Sequence, residues 1–232
     1  MLRTTKAVLA MLVIVLAISC NKENMVPANT NGNAQTSQLA ANDNEDLAIN
    51  AVRIGKQIWQ KKDLATSYYR NGDKIPEVKD PSKWASLTTG AWCYYNNDPA
   101  NGKLYNWYAV HDSRGLAPKG WHIPTDDEWT TLTNYLGGFE VAGGKLKETG
   151  TSHWNDPNAD AINSTGFTAL PGGTRYYLGN YFDAGGYGYW WSSTEASDGA
   201  AFYRYLTYFY GAISGGSDYK TNGFSVRCIK NL

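Results

Sequence analysis

The chain has 232 residues, enough for one sizeable domain with appendages. Its 21 Lys and Arg residues balance its 21 Asp and Glu residues, which excludes the strongly basic footprint of a nucleic-acid-binding protein. The 9 Trp, 17 Tyr and 24 Gly residues predict aromatic cores or binding faces joined by many turns and long ordered loops.

Residues 1–20 have the pattern of a bacterial secretion signal, with basic residues before an apolar run at 7–18. That run is shorter than the ~20 residues that a membrane-spanning helix needs. It ends in Leu-Ala-Ile-Ser-Cys, which resembles a lipobox. We therefore expect Cys20 to carry lipid, such as palmitate, and to anchor the protein in the outer membrane, on its periplasmic or outer face. The alternatives are an ordinary cleaved signal and an uncleaved anchor.

Residues 21–50 predict a flexible tether. This segment is rich in Asn, Ala, Thr and Gln and contains no aromatic residue. It cannot bury enough apolar surface to offset the entropy that ordering costs. Since the aromatic residues begin at Trp59, the folded domain is assigned to residues 51–232.

The first half of the domain predicts a β-hairpin around Gly55-Lys56 and strands at 91–95 and 104–109. A helix follows. Thr125 and Glu128 have the spacing of a capping box, and Gly137-Gly138 ends the apolar pattern that begins at Trp129.

The second half alternates glycine-rich loops with short strand patterns. The predicted strands lie at 167–170, 189–194, 201–210 and 224–229, and a turn-joined strand pair lies within 174–188. In the 201–210 segment, Tyr203 and Tyr205 alternate with Arg204 and Leu206, which is typical of a half-buried strand.

Several segments of the domain together resemble one family. They are GKLYNWYAV (102–110), LAPKGWHIPTDDEW (116–129), TGF (165–167), ALPGGTR (169–175), WWSSTE (190–195) and GFSVRC (223–228). The set resembles the Fibrobacter succinogenes major paralogous domain, found in secreted and lipid-anchored bacterial proteins. The resemblance implies an α+β, C-type lectin-like fold with short twisted antiparallel sheets, one or two helices and long ordered loops.

The helix start and the GFSVRC ending also resemble formylglycine-generating enzymes, which act through two nearby cysteines that bind copper. After lipidation of Cys20, only Cys93 and Cys228 remain, and Cys228 falls on a cysteine with a structural role in those enzymes. The reaction is therefore not expected here, and no catalytic residue is assigned. In an oxidising compartment we expect Cys93 and Cys228 to form a disulfide, with two independent buried thiols as the alternative.

The segment 154–160 offers a candidate calcium site. Asp156, Asn158 and Asp160 place oxygens at alternate positions, a spacing that calcium loops use. The preceding Trp-Asn-Asp triplet is similar to one that C-type lectins use for calcium and sugar, but it lies far from the terminal strand. The alternative is a solvated turn.

An aromatic loop offers the candidate ligand site. Its rings suit a glycan or a peptide, and the alternative is a loop that buries them. The residues assigned to ligand binding are Tyr176, Tyr177, Asn180, Tyr181, Asp183 and Tyr187.

These observations predict a lipid-anchored binding domain of the cell envelope that recognises a glycan or a cell-surface protein. One alternative is a hydrolase or modifying enzyme that uses loop carboxylates, from among Asp183, Glu195, Asp198 and Asp218. The other is a structural subunit of a surface assembly.

Overall fold

The computed structural model describes residues 50–231, in which short helices and antiparallel strand pairs confirm the predicted α+β class. Its four α-helices are α1 Pro81–Ala85, α2 Trp107–Val110, α3 Asp126–Tyr135 and α4 Phe139–Leu146. Its strands are β1 Ala51–Ile54, β2 Gln57–Gln60, β3 Trp92–Tyr94, β4 Lys103–Tyr105, β5 Trp121–His122, β6 Thr174–Arg175, β7 Tyr181–Phe182, β8 Tyr187–Ser197, β9 Ala200–Thr207, β10 Ile213–Tyr219 and β11 Ile229–Lys230.

A four-stranded sheet joins the two ends of the domain. β1 and β2 form the predicted hairpin, and Gly55 takes a left-handed conformation (φ 61°) at its turn, which glycine adopts without steric cost. β2 then pairs with β11, which also pairs with β5, in the order β1-β2-β11-β5. Ile229 thus lies opposite both Trp59 and His122.

Helix α3 packs its apolar face against this sheet. The ring centroid of Trp129 lies 4.8 Å from that of Trp59. The predicted capping box is confirmed, because Thr125 Oγ1 accepts from the Glu128 amide and Glu128 Oε2 accepts from the Thr125 amide. Glu128 Oε1 also bonds His122 Nε2 at 2.8 Å, so the same carboxylate ties the helix start to β5.

A three-stranded sheet in the order β10-β9-β8 forms the second layer. One face carries Trp190, Leu206 and Ile213, which are buried in the same core cluster as Trp129. Arg204 on this face donates to Asp126 Oδ1 at 2.5 Å and to Thr130 Oγ1 at 3.1 Å, which fixes α3 on the sheet. The opposite face is only half buried.

Buried cationic side chains hold the long loops. Arg175 donates to the carbonyls of Val78, Lys79 and Gly179. Arg227 donates to Asp63 Oδ1 and to the carbonyls of Gln60 and Phe167. Lys147 donates to the carbonyls of Ala159, Thr207 and Tyr210 at 2.8–2.9 Å.

Two predicted strands are shorter than expected, and one is missing. β4 ends at Tyr105, because the Asn106 side chain accepts from Ala109 N and starts α2. The 224–229 segment is buried but pairs regularly only at β11, since Phe224 and Ser225 make isolated bridges to two different strands, at Tyr105 and Trp190. The 167–170 segment makes a single bridge, between Ala169 and Lys147.

The predicted disulfide is wrong: Cys93 and Cys228 are both free thiols. Cys93 packs with Trp84 and Leu104, whereas Cys228 belongs to a different core cluster that contains Trp191. Burial of the two thiols in separate clusters prevents the bond. The alternative of two independent buried thiols is confirmed.

Several predictions concern residues that the structure does not describe. The signal at 1–20, lipidation at Cys20 and nearly all of the tether at 21–50 lie outside the described residues. Among residues 50–231, none of the helices has the length and apolar character needed to cross a bilayer.

The thiols should be protected in the folded protein and reactive after denaturation. Burial raises the pKa of Cys228 to about 12, so about one molecule in ten thousand carries the thiolate at pH 8. Iodoacetamide should leave both cysteines unmodified in buffer, and should label both in concentrated guanidinium without reductant, as read by peptide mass spectrometry. Recovery of a Cys93–Cys228 cross-linked peptide would contradict the assignment.

Candidate functional site

The half-buried face of the three-stranded sheet is lined by tyrosines. Tyr189 lies opposite Tyr205 in the strand register, and Trp191 lies opposite Tyr203. Because side chains alternate between the faces of a strand, these rings and Tyr187 point away from the core that Trp190 and Leu206 fill. Tyr187 and Tyr189 stack with their ring centroids 5.9 Å apart.

A pocket of about 370 Å³ lies at this face. The β6–β7 segment and the turn after β10 supply its other walls. Its lining residues are Thr174, Tyr176, Phe182, Asp183, Tyr189, Tyr203, Asp218 and Asn222.

The β6–β7 turn holds two rings at the rim. Tyr176 N donates to the Asn180 carbonyl, and Gly179 N donates to the Tyr176 carbonyl. Gly179 has φ 93°, and a Cβ there would lie 2.6 Å from Pro81 atoms, so this turn requires glycine. The turn leaves Tyr176 37% and Phe182 48% exposed, with their centroids 6.1 Å apart and their planes nearly perpendicular.

Polar groups converge on the pocket from three segments. The Tyr189 hydroxyl donates to Asp183 Oδ2 at 2.8 Å. Asp218 adds a second carboxylate. Asn222 is 1% exposed, and its Oδ1 has no hydrogen-bond partner within residues 50–231. A buried carbonyl oxygen without a partner carries an unmet hydrogen-bonding capacity, which a bound donor would satisfy.

The carboxylates make the electrostatic potential of the pocket negative. Burial raises the pKa of Tyr189 and Tyr203, and the charges of Asp183 and Asp218, respectively, raise them further. The pKa of Tyr176 is raised for the same reasons, by burial first and then by Tyr177 and Asp218. These tyrosines therefore stay protonated at neutral pH.

A comparison of the sequence with protein-family models identifies the family of this domain. The family model of the Fibrobacter succinogenes major domain matches residues 52–230, well over half of the chain. The chain belongs to this family. No curated protein and no solved structure shows significant similarity to it.

The major domain brings only some of the predicted ligand residues together. Tyr176 and Asp183 line the pocket, and Tyr187 lies on the same sheet face. Tyr177 supports the rim, with its ring centroid 4.4 Å from those of both Tyr176 and Tyr219.

Tyr181 and Asn180 are not among the lining residues. Tyr181 packs instead against Tyr95 and the Arg175 guanidinium, where its hydroxyl donates to Asn97. Successive strand residues point to opposite faces, so Phe182 reaches the pocket and Tyr181 does not.

Sequence reasoning counted Tyr189 among the rings of the aromatic loop without assigning it to ligand binding, missed Tyr203 and Asn222 as site residues, and identified Asp218 only as a candidate acid. The two tyrosines had a usable signal, because they repeat every second residue in neighbouring strands. Asn222 had none, since its place depends on how the turn after β10 packs.

The calcium trio lies elsewhere, in the loop that follows α4. Asp156 precedes a cis proline, and Asn158 Nδ2 donates to the carbonyls of Glu148 and Gly150. No group of three or more His, Cys, Asp or Glu residues within residues 50–231 is arranged to hold a metal ion. The Asn158 amide therefore stabilises the loop through these two hydrogen bonds. Calcium binding by this trio stays a prediction.

The tryptophan of the Trp-Asn-Asp triplet is a buried core residue. Trp154 is 1% exposed and its indole N–H donates to the Ala169 carbonyl at 2.9 Å. The Lys147 ammonium lies 5.5 Å from its ring centroid, close to Asp160. The Lys147 ammonium therefore supplies a positive charge next to this loop.

The buried Lys147 should make stability depend on pH. Burial lowers its pKa to about 8, with Asp160 partly offsetting this, whereas an unfolded lysine has a pKa of about 10.4. Between these two pKa values the unfolded chain binds more protons at this residue than the folded chain does. The free energy of unfolding therefore rises with pH across this range, and this gain is absent below pH 8.

Urea denaturation of wild type and Lys147→Met between pH 7.5 and 9.5 measures this contribution. The stability difference in favour of wild type should grow by up to about 1.4 kcal/mol per pH unit. The exposed Lys74→Met is the matched control and should show no such trend. A pH-independent difference for Lys147→Met would contradict the assignment.

Proposed function

We propose that this chain is a lipid-anchored binding domain of the bacterial cell envelope that recognises a glycan or a protein through the tyrosine-lined pocket. One observation carries the proposal: exposed rings, two carboxylates and the unpartnered Asn222 amide line a single pocket. A volume of about 370 Å³ lies within the usual size of small-ligand sites.

The chemistry of the pocket suits sugars and peptides. Ring faces pack against the apolar faces of sugars and against aliphatic side chains, while carboxylate and amide oxygens fix hydroxyl or amine donors. Tyrosine offers a large contact area at a low cost in conformational entropy. The rim rings Tyr176 and Phe182 are exposed, so a ligand in the pocket would bury part of their apolar surface.

The membrane anchor and the finer fold class are part of this proposal. The lipobox-like ending at Cys20 supports the anchor, and the polar segment that follows it supports a tether. The matched family and the loop-rich α+β architecture support a C-type lectin-like fold.

A carboxylate-based hydrolase is the second candidate function. One observation favours it, because Asp183 and Asp218 line the same pocket, and hydrolysis of glycosides uses two carboxyl groups across one bond. Glu195 is not available to such a pair, since its carboxylate binds the Lys220 ammonium, and Asp198 is not among the residues that line this pocket. The structural-subunit alternative has less support, because the pocket rings are exposed.

Removal of either rim ring should weaken recognition without unfolding the domain. The protein is screened in mild detergent against glycan and peptide arrays and in cell-wall pull-downs, with calcium and with EDTA. Tyr176→Ala and Phe182→Ala should each weaken binding about tenfold, the loss expected for one stacked ring. Tyr68→Ala, which removes a ring that is 54% exposed but outside the pocket, is the matched control.

Failure to bind any glycan, peptide or cell-wall fraction under both conditions would overturn the binding proposal. Release of cleaved product from a bound ligand, lost in both Asp183→Asn and Asp218→Asn, would instead establish the hydrolase.

The anchor is tested by metabolic labelling with an alkyne fatty acid. Wild type should be labelled and should fractionate with membranes, because the acyl chain partitions into the bilayer. Cys20→Ser should lose both properties, whereas the neighbouring Ser19→Ala should keep them. Label that persists in Cys20→Ser would contradict the lipidation site.

A further inference from the structure

The polar groups that face the pocket are mostly acceptors. Asp183 and Asp218 contribute carboxylates, and Asn222 contributes an amide whose Oδ1 is unpartnered within the described chain. The Tyr189 hydroxyl is already committed as a donor to Asp183. None of the eight lining residues, all within 174–222, is Lys, Arg or His. The charged groups of this lining are therefore both carboxylates, which favour a ligand group that is cationic and donates hydrogen bonds.

The apolar walls favour the same kind of group. Four of the eight lining residues are aromatic, namely Tyr176, Phe182, Tyr189 and Tyr203. The face of an aromatic ring carries partial negative charge and attracts cations within about 6 Å of its centroid. Tyr189 already stacks with Tyr187 and Phe224, whereas Tyr176 and Phe182 are 37% and 48% exposed at the rim and can meet a ligand. The rings and the carboxylates thus attract the same sign of charge.

Elsewhere in the domain, comparable sites are already occupied by the chain's own cations. The Arg175 guanidinium lies 4.4 Å from the Trp84 centroid, and the Lys103 ammonium lies 3.7 Å from the Trp92 centroid. The pocket has the same combination of rings and acceptors, but the cation must come from outside the residues that line it.

We propose that the pocket binds a primary alkylammonium group. The carboxylates of Asp183 and Asp218 supply the counter-charge, the exposed rim rings Tyr176 and Phe182 contact the aliphatic stem, and the Asn222 amide oxygen accepts one ammonium hydrogen. A primary ammonium fits better than a quaternary one, because only the primary group can donate to these oxygens. The inference rests on the proposed binding function and names the ligand chemistry.

The two sources that match the proposed binding of protein or glycan are a lysine side chain of a protein and the free amine of an unacetylated amino sugar. The full-length protein in detergent is titrated with four probes by isothermal calorimetry. They are a lysine-containing tripeptide, its Nε-acetylated form, a glucosamine oligomer and the matching N-acetylglucosamine oligomer. Acetylation removes the charge while it keeps the rest of each probe.

At least one amine probe should bind about tenfold or more tightly than its acetylated partner, and binding should weaken as salt concentration rises. The preferred probe identifies the source as protein or glycan. Asp218→Asn and Asp183→Asn should each lose at least tenfold in affinity for it. Asp127→Asn, an equal change of charge at the exposed start of α3, should leave the affinity unchanged.

Equal binding of amine and acetylated probes, or binding of neither amine probe, overturns the cation proposal. In both cases the array experiment with Tyr176→Ala still decides the proposed function, because that screen includes neutral and anionic ligands. Near-UV circular dichroism checks the folding of each variant. Asn222→Asp adds negative charge to the same pocket and should tighten the binding of the amine probe.

Discussion

The ordered conformation of the loops in this domain depends on its buried Arg and Lys side chains. Backbone carbonyls in helices and strands are satisfied by regular ladders, but the long segments between the short strands have none. An unpaired buried carbonyl costs about 1–3 kcal/mol. Arg175, Arg227 and Lys147 bring several donors on one long stem to the point where such segments meet. One side chain therefore closes several loops, which is how so little regular structure supports an ordered domain.

The pocket inherits its shape from these contacts. Arg175 binds the carbonyl of Gly179 and so holds the turn that places Tyr176 at the rim. Asp63 accepts from both Arg227 and the indole of Trp190, which anchors the strand that carries Tyr189. The rings are consequently fixed before any ligand arrives. A ligand of the proposed kind would then lose little free energy to the ordering of these rings.

Local patterns predicted the local structure well. The capping box at Thr125, the hairpin at Gly55 and the α+β class follow from neighbouring residues, and all are present. The predictions that were wrong concern contacts between residues that are distant in the sequence. The 104–109 strand stops early because Asn106 bonds backbone groups of the 89–91 segment, and the thiols stay apart because they enter different core clusters. The pocket likewise unites segments separated by more than thirty residues, so sequence found its aromatic loop but not Asn222.

The four-stranded sheet β1-β2-β11-β5 brings the two ends of the domain close together. Val52 and Ile229 flank Trp59 on either side, so the ends of the domain are only two strand spacings, about 10 Å, apart. A chain can therefore leave the domain next to where it entered. Such a module can be inserted into a surface loop of a host protein, or joined to others in a tandem array, without disrupting the fold of the host.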